Sequence, residues 1–200
     1  MGFINSGQAC VAGTRILVPN HRLDEVLARL KQEIETFKVG APDDPDAMIG
    51  PMVSRKQYSR VQSYIELGTR EGASLLTGGL GRPAGLDRGW FTKPTIFTNV
   101  DNQMRIAGEE IFGPVSSVIA YRDEDEAVAI ANDTQYGLQA YLHGTEAARM
   151  QALADRLDCG RVIVNGAPHE PLAPFGGFKQ SGIGREYGAF ASRRFWSRKP

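Results

Sequence analysis

The sequence is poor in cysteine, has no excess of either charge and contains no long apolar run, and each scarcity excludes a class of protein. Its 200 residues include two cysteines, Cys10 and Cys159, too few for a disulfide framework or a zinc site. Lys plus Arg and Asp plus Glu number 23 each, so no net field would draw the chain to nucleic acid or an anionic membrane. No apolar run approaches the ~18 residues of a membrane span, and the first residues do not predict a signal peptide. These absences predict a cytoplasmic protein without a metal site, a membrane span or a nucleic-acid partner.

The composition that remains is that of an ordinary globular chain. Hydrophobic residues make up 42% and charged residues 23% of it, which is enough to bury a core. Strand-like and helix-like patterns alternate with short links, and neither a repeat nor a low-complexity linker interrupts them. The sequence therefore predicts an α/β fold in which helices flank a mainly parallel open sheet, built as one domain.

The predicted elements follow from hydrophobic periodicity and capping residues. Strands are expected at 16–18, 74–76, within 91–100, and at 115–121, 138–142 and 161–165. Helices are expected at 20–38, 54–72, 123–132 and 146–157. Asn20 is predicted to cap the first helix, Ser54 and Gln57 to form a capping box on the second, and Asp123 to cap the third with Glu126. The glycine-rich stretch 78–85 contains a proline and opens no helix, so it is interpreted as a surface turn rather than a dinucleotide site.

The first candidate site is the segment 3–10, where Cys10 follows a polar, glycine-containing run. The residues after it are predicted to form a helical turn that leads into a buried strand. A helix dipole and free backbone N–H groups would then stabilise the thiolate and could hold the oxyanion formed when it adds to a carbonyl carbon. The alternative is a buried structural cysteine, which is the commoner role of a free thiol.

The second candidate site is the sequence Glu-Glu-Ile-Phe-Gly-Pro at 109–114, a rigid turn before a strand. A carboxylate here could accept hydrogen bonds from a sugar diol, although a solvated acidic pair at a loop edge is the alternative. The third is Pro-Phe-Gly-Gly-Phe-Lys-Gln-Ser-Gly-Ile-Gly-Arg-Glu at 174–186. Its glycines allow the backbone to approach another surface closely.

These three motifs, in this order, resemble those of the aldehyde dehydrogenase superfamily. Asn-x-Gly-Gln-x-Cys at 5–10 is similar to the nucleophile motif of that family, which favours a reactive Cys10 over a structural one. The resemblance extends from residue 3 to about residue 190. It implies an aldehyde dehydrogenase catalytic domain over 1–190, without the cofactor-binding domain, followed by an atypical basic tail at 191–200. A single-nucleotide frameshift near codon 191 is one hypothesis for that tail.

The resemblance also implies residue roles near the thiol and the cofactor. Cys10 would be the nucleophile and Asn5 would orient its turn. Glu110 would hold the ribose on the nicotinamide side of NAD or NADP, with Phe112 beside the cofactor. The remaining cofactor candidates lie near the adenosine ribose and are Gln57 and Arg60, the latter where the family usually has lysine.

On the substrate side, the resemblance implies that Phe175 lines the aldehyde tunnel and that His169 is a neutral side chain facing the substrate. The implied reaction oxidises a small-molecule aldehyde to a carboxylic acid with NAD(P)+, through a thiohemiacetal and a thioester on Cys10. The chain is expected to be a truncated form with impaired activity alone, and a separate cofactor-binding domain or a homo-oligomer is its expected partner. Two alternatives remain: a non-catalytic interaction module and a weak cysteine-dependent esterase. The sequence leaves open the identity of the aldehyde, the choice between NAD and NADP, and the oligomeric state.

Overall fold

A four-stranded sheet forms the frame of the first of two units into which the structure divides the chain. The computed structural model describes residues 2–168 and 170–188, and the units are Met1–Ala127 and Val128–Pro200. The sheet contains β1 (Arg15–Pro19), β2 (Ser74–Thr77), β3 (Thr95–Thr98) and β4 (Val115–Tyr121), in the order β1-β4-β3-β2. β4 pairs in parallel with β1 and β3, and β2 is antiparallel to β3. The prediction of a mainly parallel open sheet is confirmed.

Two long helices of the first unit, α1 (Leu23–Glu35) and α2 (Arg55–Arg70), cover this sheet; a third, α3 (Arg105–Gly108), is a single turn. Ile96 of β3 belongs to a buried cluster with Ile34 of α1. The ring of the next residue, Phe97, lies against Gly68 of α2. Because successive side chains of a strand point to opposite faces of a sheet, α1 and α2 cover opposite faces. The prediction of flanking helices is therefore also confirmed.

The capping predictions had mixed outcomes. The prediction that Asn20 caps α1 is wrong: residues 20–22 form a 3₁₀ turn in which the Asn20 carbonyl accepts a bond from Leu23 N–H, and α1 begins only at Leu23. Ser54 does cap α2, since its Oγ accepts a bond from Gln57 N–H at 3.2 Å. The Gln57 side chain does not close the predicted capping box, because its amide is bonded to a turn more than fifty residues away. Asp123 Oδ1 accepts a bond from Glu126 N–H at 2.9 Å, as predicted.

The second unit contains two small two-stranded sheets. α4 (Glu124–Asn132) includes the boundary between the units and is followed by β5 (Tyr136–Gly137), β6 (Gln139–Leu142), α5 (Ala147–Ala154), β7 (Arg161–Val164) and β8 (Phe178–Lys179). β6 and β7 are parallel, and β5 and β8 are antiparallel. The stretch 78–85 of the first unit is made of turns, as interpreted from its sequence. Among the described residues, no helix combines the length and apolar composition that crossing a membrane requires.

Candidate active site

Residues 5–10, here called the cysteine turn, adopt a conformation that the sequence did not reveal. Asn5, Ser6 and Gly7 have φ of 48°, 58° and 71°, all in the left-handed region. Cys10 follows them, exposed, in a turn closed by Ala12 N–H donating to the Ala9 carbonyl at 2.9 Å. The prediction that Cys10 lies near a helix N-terminus is wrong, because residues 11–14 form no helix and the next regular element is the strand β1, which begins at Arg15.

Polar contacts anchor the cysteine turn. Asn5 Nδ2 donates to the Gln8 carbonyl at 3.0 Å, which ties the two halves of the turn together. The buried Ser6 hydroxyl donates to the Gly50 carbonyl at 3.0 Å. The Gln8 side-chain oxygen accepts a bond from Val53 N–H at 2.9 Å. The backbone that leads to Cys10 is therefore attached to the segment 50–53, which lies just before α2.

The cysteine turn is also in direct backbone contact with residues 109–114, here called the acidic turn. A Cβ on Gly7 would overlap the Gly113 carbonyl, and a Cβ on Gly113 would overlap Val61 of α2. Only glycine permits both approaches. The turn that carries the thiol, the acidic turn and α2 are thus stacked on one another within the first unit.

The two glutamates of the acidic turn have different environments. Glu109 accepts bonds from Arg105 Nε at 2.7 Å and from Tyr64 Oη at 2.5 Å. The bond from Arg105, followed by that from Tyr64, lowers the pKa of the Glu109 carboxyl. Glu110 is exposed instead, and the next aromatic residue, Phe112, is 37% exposed with φ of 60°. Of the two acids, Glu110 is the more exposed, while the partly exposed Glu109 is paired with Arg105 and Tyr64.

Gln57 and Arg60 both contact the main chain of the acidic turn. Gln57 Nε2 donates to the carbonyls of Ile111, at 3.0 Å, and Phe112, at 2.7 Å. Arg60 Nη2 donates to the Glu110 carbonyl at 2.6 Å. The structure thus brings four predicted cofactor-side residues together at one turn. A contact of Gln57 and Arg60 with the adenosine ribose stays a prediction.

The second thiol of the chain has a different environment from that of Cys10. Cys159 is partly buried, and its Sγ donates to the Arg161 carbonyl at 3.3 Å. Burial raises the pKa of the Cys159 thiol. Because the thiolate is the reactive form, this shift disfavours reaction at Cys159 near neutral pH.

The substrate-side candidates belong to the second unit. Phe175 exchanges two backbone hydrogen bonds with Glu186, at 2.8 and 2.7 Å, and its ring centroid lies 5.9 Å from that of Tyr187. His169 and the tail at 191–200 lie outside the described residues, so their predictions stay untested. Within the described ranges, no group of three or more His, Cys, Asp or Glu side chains could hold a metal ion.

Comparison with known proteins identifies the family. The sequence profile of the aldehyde dehydrogenase family matches residues 1–199. The chain belongs to the aldehyde dehydrogenase family. A curated relative from Staphylococcus aureus is 52% identical over 191 residues, which is 96% of this chain and 40% of that relative. The chain thus spans about 40% of the length of the curated relatives it matches.

Solved aldehyde dehydrogenases share the fold of this chain. A mutant of aldehyde dehydrogenase C from Pseudomonas syringae, in complex with NAD+ and octanal, is 48% identical with a TM-score of 0.93; the match covers 95% of this chain and 39% of that one. An aldehyde dehydrogenase from Mycobacterium tuberculosis, in complex with NAD+, is 47% identical with a TM-score of 0.94. That match covers 97% of this chain and 40% of the M. tuberculosis chain. The predicted family and fold class are both confirmed.

Sequence reasoning missed some residues of this candidate site. Tyr64 receives a bond from Arg60 at 3.2 Å and donates to Glu109, so it links α2 to the acidic turn. The signal was the helical spacing of Gln57, Arg60 and Tyr64, which places the three side chains along one face of α2. Ser6 was missed because nothing in the local sequence indicates its partner at Gly50.

Proposed function

We propose that this chain carries the thiol chemistry of an NAD(P)-dependent aldehyde dehydrogenase that oxidises a small-molecule aldehyde to a carboxylic acid. The observation that supports it best is the backbone contact between the cysteine turn and the acidic turn, at Gly7 and Gly113. That contact keeps the exposed Cys10 in the same unit as the exposed Glu110 and Phe112.

The exposed groups of the acidic turn suit a nicotinamide cofactor. A carboxylate accepts hydrogen bonds from ribose hydroxyls, and Glu110 presents one to solvent, while Phe112 offers an exposed ring. When bound, the oxidised nicotinamide would supply the hydride acceptor. The relatives from P. syringae and M. tuberculosis are complexed with NAD+. Neither Glu110 nor Phe112 indicates whether the cofactor of this chain is NAD or NADP. Further cofactor contacts would come from a separate cofactor-binding domain or a second copy of the chain.

Cys10 performs the covalent part of the proposed reaction. Its thiolate adds to the aldehyde carbon and forms a thiohemiacetal, whose oxidation leaves a thioester on the sulfur. Water then attacks the thioester carbonyl, releases the carboxylic acid and restores the thiol. Asn5 keeps the cysteine turn closed through its bond to Gln8. Phe175 and His169 are proposed to contact the aldehyde, and the two free cysteines fit a reducing, cytoplasmic environment.

An experiment on thiol acylation and oxidation tests this function. The chain and the variants Cys10→Ala and Cys159→Ala would be treated with p-nitrophenyl acetate, and the acetylated cysteine mapped by mass spectrometry. The same proteins would then be given NAD+ and octanal, the aldehyde bound to the P. syringae relative, and NADH formation followed by absorbance. We expect Cys10 to be the acetylated cysteine in the parent chain and in Cys159→Ala, and Cys10→Ala to abolish whatever NADH formation the parent chain supports. NADH formation that survives Cys10→Ala would overturn the proposal.

A further inference from the structure

Three successive main-chain carbonyls of the acidic turn are held by two side chains of α2. Arg60 donates to the Glu110 carbonyl, and Gln57 donates to those of Ile111 and Phe112. A primary amide has two N–H donors, so Gln57 uses both of them on this turn. Arg60 is held in place in turn, since its guanidinium lies 4.8 Å from the ring centroid of Tyr64 and donates to the hydroxyl.

The acidic turn needs this support because its conformation is strained. Phe112 has φ of 60°, a region that residues other than glycine rarely adopt. The ring of the strained Phe112 is 37% exposed, and Glu110, two residues before it, is exposed as well. Such conformations persist only where the surroundings determine them. Here the surroundings include the amide of Gln57 and the guanidinium of Arg60, beside the close packing of Gly113 against Gly7 and Val61.

We propose that Gln57 and Arg60 are positioning residues, which hold Phe112 in its left-handed conformation and so place the Glu110 carboxylate and the Phe112 ring for the cofactor. The claim that Glu110 and Phe112 are placed for the cofactor rests on the proposed function. The claim that Gln57 and Arg60 support the acidic turn does not. On this proposal the two side chains act on the cofactor through the acidic turn, and the essential property of Gln57 is its pair of donors.

The substitution Gln57→Glu separates this role from a direct contact with ribose. A glutamate keeps the length and shape of glutamine and can accept hydrogen bonds from ribose hydroxyls, but its carboxylate has no donor for two carbonyls. A positioning role therefore predicts that Gln57→Glu disrupts the turn. A ribose contact predicts that cofactor affinity is retained.

The first measurement is the ¹³C signature of Phe112, whose Cα and Cβ shifts report a left-handed backbone. At pH 7 we expect the signature to be lost in both Gln57→Glu and Gln57→Ala. Near pH 4, roughly two-thirds of a glutamate carboxyl with the reference pKa of ~4.3 is protonated. The protonated form regains one donor, so the signature should partly return in Gln57→Glu only. Arg60, Glu109 and Glu110 also carry charge nearby, and because Gln57→Ala retains all three it controls for their titration. Glu66→Gln, an exposed change on the same helix, should leave the signature intact.

Arginine at position 60 provides a second comparison. Arg60→Lys keeps a charged donor that can reach the Glu110 carbonyl, so it should retain more of the Phe112 signature than Arg60→Ala. An unchanged signature in Gln57→Glu at pH 7, no recovery near pH 4, or equal loss in Arg60→Lys and Arg60→Ala would each overturn the support of the turn.

A titration with NAD, followed through the same Phe112 resonance, tests the cofactor part. We expect Gln57→Glu to weaken NAD affinity about tenfold, which is the effect of losing one or two ordinary hydrogen bonds. Unchanged affinity in Gln57→Glu would overturn the positioning of cofactor groups in favour of direct contact. If the parent chain binds no NAD, the cofactor assignment made under the proposed function fails, and the Phe112 signature alone decides whether Gln57 and Arg60 hold the turn.

Discussion

Replacing Gly7 by alanine would test the contact between the cysteine turn and the acidic turn. Gly7 has φ of +71°, and its missing Cβ would overlap the carbonyl of Gly113. The obstacle is main chain on both sides, so no side-chain rotation can relieve it. Gly7→Ala must therefore separate the two turns or distort one of them.

Two contributions determine the size of the effect. A left-handed alanine costs about 1–2 kcal/mol relative to glycine, and forcing an extra carbon into a packed contact typically costs about 1–3 kcal/mol. Together they remove roughly 2–5 kcal/mol from a stability that is on the order of 5–15 kcal/mol for a folded domain. Gly85→Ala is the matched control, because Gly85 has a similar φ of +78° but nothing within 4 Å of its would-be Cβ. Only the first contribution applies to Gly85.

Urea denaturation followed by circular dichroism would measure both variants, and timed alkylation would report the exposure of Cys10. We expect Gly7→Ala to unfold at a lower urea concentration than Gly85→Ala, by the equivalent of about 1–3 kcal/mol, and to alter the alkylation rate of Cys10. Equal midpoints for the two variants, with an unchanged Cys10 rate, would show that the two turns are not in contact in solution.

Three further predictions follow from other contacts. Iodoacetamide near neutral pH should label Cys10 before Cys159, since burial raises the pKa of the Cys159 thiol; mass mapping that finds equal or reversed rates would contradict the assignment of the reactive thiol. The pKa of Glu109 is lowered by its bond with Arg105, so its contribution to stability is present above the unfolded value of ~4.3 and is lost as the pH falls through the lower folded pKa. Glu109→Gln should therefore lower the urea midpoint at pH 7 and match the parent chain at acid pH, and a midpoint difference that persists there would contradict the ion pair. Ser54→Ala removes the N-cap bond of α2 and should cost about 1 kcal/mol in the same assay; an unchanged midpoint would mean that the cap contributes no stability.

The order and type of the longer elements could be predicted from the sequence because their signals are local, whereas the short elements α3, β5 and β8 were not predicted. The stripe of apolar residues spaced by three and four predicted α1, and the apolar run at 115–121 predicted β4 with the bounds that the structure shows. Ser54 and Asp123 were recognised as caps because the partner of each lies three residues away. The wrong prediction at Asn20 also rested on a local signal. A 3₁₀ turn is frequent at the N-terminus of an α-helix, so a residue that suits a helix start can open such a turn instead.

The candidate site was only partly predictable. The motif resemblance singled out Cys10, Glu110 and Phe112, and the family match confirms the resemblance itself. It did not reveal that the backbone before Cys10 is left-handed, and the expected helix N-terminus was wrong because the strand β1 follows the thiol. The left-handed Gly7 lies against Gly113, a contact between residues more than a hundred positions apart that no local motif indicates.

The sequence by itself determined the family and the alternation of strands and helices, and it singled out Cys10 as the candidate thiol, because each of these depends on residue type within a short window. Only the tertiary structure decided which glutamate is exposed and what Gln57 and Arg60 bind. Glu109 and Glu110 are neighbours of identical chemistry, and they differ only because Tyr64 and Arg105 reach the first of them. The partners of Gln57 and Arg60 lie some fifty residues away along the chain. Hydrogen-bond partners at such separations are selected by the packing of α2 against the acidic turn, which no local pattern encodes.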